Sequence, residues 1–221
     1  MGRCEHGVLP VTDRAQGVDC SHYHPITDAG AVLASGISFV GLKATQGNTF
    51  VDPTFTANRA AVRSQPFDLV VHYHFASPGD PVAQADRFVD VIGELRGNER
   101  LCLDLEDDKT DKPAVDLAWA DKFYSRLLGG ACSDRRPLIY TSRRVWLQLK
   151  NPTWDLAAEI DLWAPRYGPD EPELPVPWKL HGWTFWQFSE SANVPGVDGP
   201  CDASCFYSDV TALQAYATLT S

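Results

Sequence analysis

The alternation of short apolar runs with amphipathic stretches constrains this chain most, because each run is too brief to be a helix. The runs fall at 17–20 (GVDC), 38–44 (SFVGLKA), 69–75 (LVVHYHF), 101–105 (LCLDL), 137–141 (PLIYT), 161–164 (DLWA), 184–188 (TFWQF) and 202–206 (DASCF). Apolar recurrence at three and four residues, the mark of a helix, occupies 27–35, 53–64, 80–96, 114–129 and 209–218. Pro113 stands before the fourth of these and Gly129-Gly130 after it, the expected asymmetry of helix start and stop. Eight strands with crossover helices in the first half predict an α/β fold, a single-domain β/α barrel with about five helices. The later strands lie too close together for full helices, so the second half is expected to be irregular. A doubly wound open sheet is the alternative. It normally carries a glycine-rich phosphate loop after its first strand, and GVDCSHYH is not one.

At 221 residues the chain fits one domain, read as an extension at 1–15 followed by the barrel at 16–221. A net charge of −10 makes the chain a poor candidate for sequence-independent nucleic-acid binding, which demands a basic face, so no nucleic acid is expected. No apolar stretch approaches the ~20 residues that span a bilayer, so membrane insertion is not expected. The start, MGRCEHGVLPVTDRAQG, lacks the apolar core of a secretory signal. The six cysteines are therefore expected as free thiols, with a Cys201–Cys205 bridge across a turn as the alternative.

Asp104 and Glu106 are two apart at the end of LCLDLE, so a strand would turn both to one side. Barrel active sites form at that end of the strands. Neighbouring carboxyls at an apolar mouth push each other's proton affinities apart, which glycoside cleavage exploits. The plainer reading of LEDDKTDK is a solvated acidic turn. Asp19 and Asp202 sit at two further strand ends, where a single aspartate usually caps a turn. Tyr23, Tyr73, Tyr140, Trp163, Tyr167 and Trp186 gather at the same mouths, as in a sugar groove. Trp119 and Phe88 read as core. His72 and His74 alternate on one strand and, with Asp19, His22 and His24, offer a rival divalent-metal site. Parity puts Cys102 beside Asp104 but turns Cys20 and Cys201 away from their neighbouring acids, against a thiolate-rich zinc site.

GVDCSHYH, GLKATQGNTFVDPTFTANRAA, VVHYHFASP, LCLDLED, PLIYTS, DLWAPRYG and WTFWQFSESANVPGVDGPCDASCF occur in an order that resembles glycoside hydrolase family 25. The resemblance runs from about Gly17 to Phe206. It implies a flattened, irregular TIM-like β/α barrel and a Chalaropsis-type lysozyme, an N-acetylmuramidase that cuts the β-1,4 bond from N-acetylmuramic acid to N-acetylglucosamine; no cofactor and no metal are expected. It places the proton donor at Glu106, its partner carboxylate at Asp104, and further motif aspartates at Asp19 and Asp202. Tyr140 falls where the family holds the substrate acetamido group. Lys43, Tyr73, His74, Trp163, Trp186 and Gln187 match positions that line or support the groove. Two departures lie in GVDCSHYHP and in the approach SQPFDLVVHYHF, and neither touches the D-x-E pair.

The spacing of Asp104 and Glu106 disfavours Asp104 as nucleophile or base, so assistance by the sugar's own acetamido oxygen is expected. The rival functions are a chitinase-like hydrolase of acetamido sugars, a metal-dependent hydrolase on the histidines, and a non-catalytic wall-binding module. The expected partner is bacterial peptidoglycan, bound by a monomer. The setting is a phage endolysin made in the cytoplasm without a signal peptide, or alternatively a secreted enzyme.

Overall fold

The computed structural model describes residues 13–107, 112–132, 134–149, 158–168 and 170–219. All eight expected strands are present, as β1 (Gln16–Cys20), β2 (Ile37–Gln46), β4 (Leu69–Phe75), β5 (Glu99–Asp104), β6 (Leu138–Tyr140), β7 (Asp161–Pro165), β8 (Phe185–Ala192) and β9 (Cys201–Phe206). A short strand, β3 (Phe50–Val51), folds back on the end of β2 as a hairpin outside the ring. The barrel closes because β1 pairs in parallel with β2 and antiparallel with β9. β9 runs against both of its neighbours, so its first residues reach the rim where the parallel strands end.

Six α-helices are described rather than about five: α1 (Ala29–Ala34), α2 (Phe55–Arg63), α3 (Pro81–Ile92), α4 (Leu117–Leu128), α5 (Arg143–Gln148) and α6 (Val210–Thr218). The unexpected one, α5, buries two adjacent side chains, Val145 and Trp146, and so shows no helical spacing. Ser142 starts it by accepting the Val145 N–H, an N-cap signal present in the sequence. Asp28, Asp80, Asp116 and Asp209 cap α1, α3, α4 and α6 in the same manner.

Strand parity divides the core into two layers. Val40, Leu42, Leu101, Leu103 and Leu162 face outward and pack under the helices, against residues such as Phe88, Phe123 and Trp146. Phe39, Leu69, Val71, Cys102, Leu138, Trp163, Phe185 and Phe206 fill the barrel itself, closed below by Leu213 and Ala217 of α6. Arg100 fixes that plug, since its Nη2 donates to the carbonyls of Tyr216, Ala217 and Leu219 at the helix's C-terminal end. Upstream of β1, Arg14 and Ala15 are already buried. Residues 1–12 of the expected extension lie outside the described residues.

The five cysteines among the described residues are free. Cys201 and Cys205 share β9, and four residues of strand separate their Cα atoms by about 13 Å, beyond the reach of a disulfide.

Glu99 begins β5 fully buried in the outer layer, where Arg63 Nε at 2.6 Å and Arg59 Nη2 at 3.0 Å hold it, with His72 Nε2 at 3.2 Å. Burial alone would raise its proton affinity. Hydrogen bonds from His72, Arg63 and Arg59 outweigh that and hold Glu99 far below the usual carboxylate range. A depressed folded-state pKa contributes stability that is present above the unfolded value of about 4.3 and is lost as pH falls. Glu99→Ala, which strands two arginines, is expected to cost about 3–5 kcal/mol. Denaturant titration at pH 7 measures the loss, and the difference from wild type should shrink in acid.

Candidate active site

Inward-facing residues at the strand ends build one pocket of about 270 Å³. Asp19 lies one residue before the end of β1, Lys43 lies on β2, Tyr73 on β4, Asp104 ends β5, Tyr140 ends β6, Trp163 lies on β7, Gln187 on β8 and Asp202 on β9, and all eight line it with Glu106. Register explains the convergence: Lys43 pairs with Tyr73, Asp104 with Tyr140, Tyr140 with Trp163, and Asp19 with Asp202. Gly41 keeps the floor open. A Cβ there would lie 2.7 Å from Asp19 Cβ and 2.9 Å from Trp163 Cη2. Gly41→Ala is therefore expected to cost about 1–3 kcal/mol in overpacking and to lower turnover as Asp19 shifts, read by denaturant titration beside kinetics.

The polar groups form one chain. Gln187 Oε1 accepts from Tyr140 Oη at 2.7 Å and Tyr167 Oη at 3.2 Å, which leaves its Nε2 to donate to Asp19 Oδ2 at 3.0 Å. Asp19 in turn shares a hydrogen bond with Asp202. Trp163 Nε1 donates to Ser204 Oγ at 3.0 Å. Lys43 Nζ donates to Gln46 Oε1 at 2.8 Å and stands 4.9 Å above the Phe75 ring.

All four acids hold their protons more tightly than free carboxyls. Burial is the first cause in each case. For Asp19 the Asp202 charge adds to it, and for Asp104 the Glu106 charge does so while the Lys43 cation opposes. Glu106 is relieved by the neighbouring Tyr140 hydroxyl and by the Lys43 and Arg144 cations. In the free pocket Asp104 is raised well above its ordinary value, because its burial and the Glu106 charge outweigh the Lys43 cation. Asp104 Oδ1 is buried and accepts no hydrogen bond from the described residues.

Two expected groove residues do not reach the pocket. His74 and Trp186 adjoin inward-facing Tyr73 and Gln187 in sequence, and successive strand residues face opposite sides. His74 is buried in the outer layer between Thr45 Oγ1 at 2.7 Å and Gln84 Oε1 at 2.9 Å, stacked on Phe123. Burial brings its pKa down to about 4. Trp186 is buried on the outer side, with Nε1 donating to the Arg166 carbonyl and Arg14 over its ring. His72 also faces outward, onto Glu99, so the H-x-H pair does not share the pocket with Asp19. Among the described residues no three His, Cys, Asp or Glu side chains are grouped to hold a metal ion.

Ser21 and Phe75 line the pocket unforeseen, although parity with Asp19 and Tyr73 marks them. His24 lines it too, near enough to Asp202 to favour that carboxylate's charge. Trp119 and Phe88 are core, as read.

Residues 18–197 match the family model described as Glycosyl hydrolases family 25. The chain belongs to glycosyl hydrolase family 25. Its family relatives include Lysozyme M1 of Streptomyces globisporus, 29% identical over 95% of this chain and 74% of the relative. An N,O-diacetylmuramidase of Arthroderma benhamiae is 31% identical over 91% of this chain and 86% of its own length. Among solved structures, the bacterial lysozyme from Streptomyces coelicolor superposes with a TM-score of 0.84 at 28% identity, covering 94% of this chain and 98% of that one. This family 25 hydrolase thus carries the barrel that its own strand pattern predicts.

Proposed function

We propose that this family 25 enzyme is a muramidase of peptidoglycan, cleaving the β-1,4 bond from N-acetylmuramic acid to N-acetylglucosamine with the sugar's acetamido group as nucleophile. The observation that carries this reading is the meeting of Glu106, Tyr140 and the unpartnered Asp104 Oδ1 in one pocket. Asp104 accepts the acetamido N–H on that oxygen. The new hydrogen bond favours the ionised form of Asp104 and so leaves the proton of the pair on Glu106. Glu106 then donates its proton to the glycosidic oxygen as the C–O bond breaks. The acetamido carbonyl oxygen attacks the anomeric carbon from the face opposite the departing sugar, closing an oxazolinium ring. Water attacks that carbon, its proton passes to Glu106, and the ring opens to restore the acetamido group. Tyr73 and Tyr140 border the reacting sugar, and Trp163 forms the floor. Asp19 and Asp202 set the field around the oxocarbenium-like transition state.

A carboxylate nucleophile would have to stand about 5–5.5 Å from the acid, across the sugar. Asp104 comes from the same strand end as Glu106 and stands beside it. Glycan strands whose muramic acid has been de-N-acetylated separate the two mechanisms. They should resist cleavage while N-acetylated strands are cut, with no covalent enzyme adduct in the mass spectrum. Cleavage of the de-N-acetylated strand, or an adduct on Asp104, would overturn acetamido assistance.

A further inference from the structure

Among the described residues, two clefts share lining side chains with the catalytic pocket. One, of about 390 Å³, shares Glu106 and Tyr140 with it and is bordered by Arg144. The other, of about 490 Å³, shares Tyr23 and runs along the β2–β3 hairpin. The proton donor therefore stands at the boundary with the Arg144 cleft. A bond protonated there sends the leaving group to that side and keeps the reacting sugar in the central pocket. The strand continuing from the reacting sugar toward its non-reducing end then runs to the other cleft, past Tyr23.

We propose that the cleft edged by His22, Tyr23 and Phe50 is a glycan subsite for the next N-acetylated sugar on the non-reducing side of the cleaved bond; this rests on the muramidase reading above. Tyr23 is 71% exposed and Phe50 39% exposed, unusual for large rings. The His22 ring centroid lies 4.0 Å from that of Tyr23 and 5.6 Å from that of Phe50, so the three rings form one ledge. Pyranose C–H faces stack on such a ledge while their hydroxyls reach outward.

The ledge is held from beneath. Asp52 Oδ2 lies 2.7 Å from His22 Nδ1 and accepts the His22 backbone N–H at 3.0 Å. The Asp52 side chain is itself buried, and its other oxygen accepts from Thr54 N and Oγ1. With Nδ1 committed, His22 Nε2 is the ring nitrogen left for a ligand. Gln46 borders this cleft and accepts from Lys43, which lines the catalytic pocket, so one hydrogen bond joins the two walls. A polymer seated in the pocket thus meets rings and an amide as soon as it emerges.

Two synthetic substrates test this, the disaccharide MurNAc–GlcNAc and the trisaccharide GlcNAc–MurNAc–GlcNAc, which differ by the one sugar this cleft takes. Wild type should prefer the trisaccharide in kcat/KM. Phe50→Ala should lower that preference about tenfold, the effect of one lost ring face, and Tyr23→Ala should do likewise. Tyr23→Phe, which keeps the ring, should retain it. An unaltered preference in Phe50→Ala and Tyr23→Ala, with wild type cleaving both substrates, would overturn the subsite and leave the muramidase reading standing. A wild type that cleaves neither substrate nor peptidoglycan would overturn both.

Discussion

Glu106→Gln is expected to fold as wild type does and to lose about 10³-fold in kcat, within the range that general acids contribute. The amide keeps the shape of the side chain but cannot protonate a leaving oxygen. The wild-type pH profile carries the same signature. Burial raises the Glu106 pKa, so the donor stays protonated above the ordinary glutamate range and activity falls as pH rises through the raised value. The Lys43 cation opposes that rise. Lys43→Met should therefore move the alkaline limb of kcat/KM to higher pH, whatever it does to the maximum. An unmoved limb would detach that limb from Glu106.

Asp104→Asn is expected to lower kcat by about 10²–10³-fold, the scale of losing a preorganised transition-state contact. Asparagine still offers an oxygen, but one without the charge that balances the developing oxazolinium. The same substitution should raise Tm at pH 7. The folded-state pKa of Asp104 is raised, by burial first and the Glu106 charge second. A raised carboxyl contributes stability below its unfolded pKa and loses it as pH climbs through the folded value. Removing a carboxyl that the fold disfavours relieves that loss. Activity down with Tm up would mark Asp104 as held for chemistry at the expense of stability. Thermal melts at pH 4 and pH 7, beside kinetics, give both readings.

The barrel was legible because its strands are short, apolar and regularly spaced, and because parity carries the inside–outside pattern through every one of them. The convergence of Asp19, Asp104 and Asp202 could be read from strand ends. What placed Asp202 at the mouth was less visible: β9 runs antiparallel, so its beginning lies beside the other strands' ends. His74 and Trp186, matched to positions that line or support the groove, stand behind it. Each adjoins a pocket residue in sequence, and a strand turns such neighbours to opposite sides. The same parity rule identifies Ser21 and Phe75 as pocket residues. α5 escaped because its buried side chains, Val145 and Trp146, are adjacent rather than three or four apart, and β3 because two residues hold no periodicity. The proton distribution was beyond the sequence, since it depends on Lys43, Arg144 and Tyr140 reaching particular acids from three separate elements.

The central claim is tested most directly by mass spectrometry of purified peptidoglycan digested with wild type and with Glu106→Gln. The account predicts muropeptides with muramic acid at the new reducing end from wild type, and none above background from the variant. New reducing ends on N-acetylglucosamine, or muramic acid ends released equally by Glu106→Gln, would contradict it.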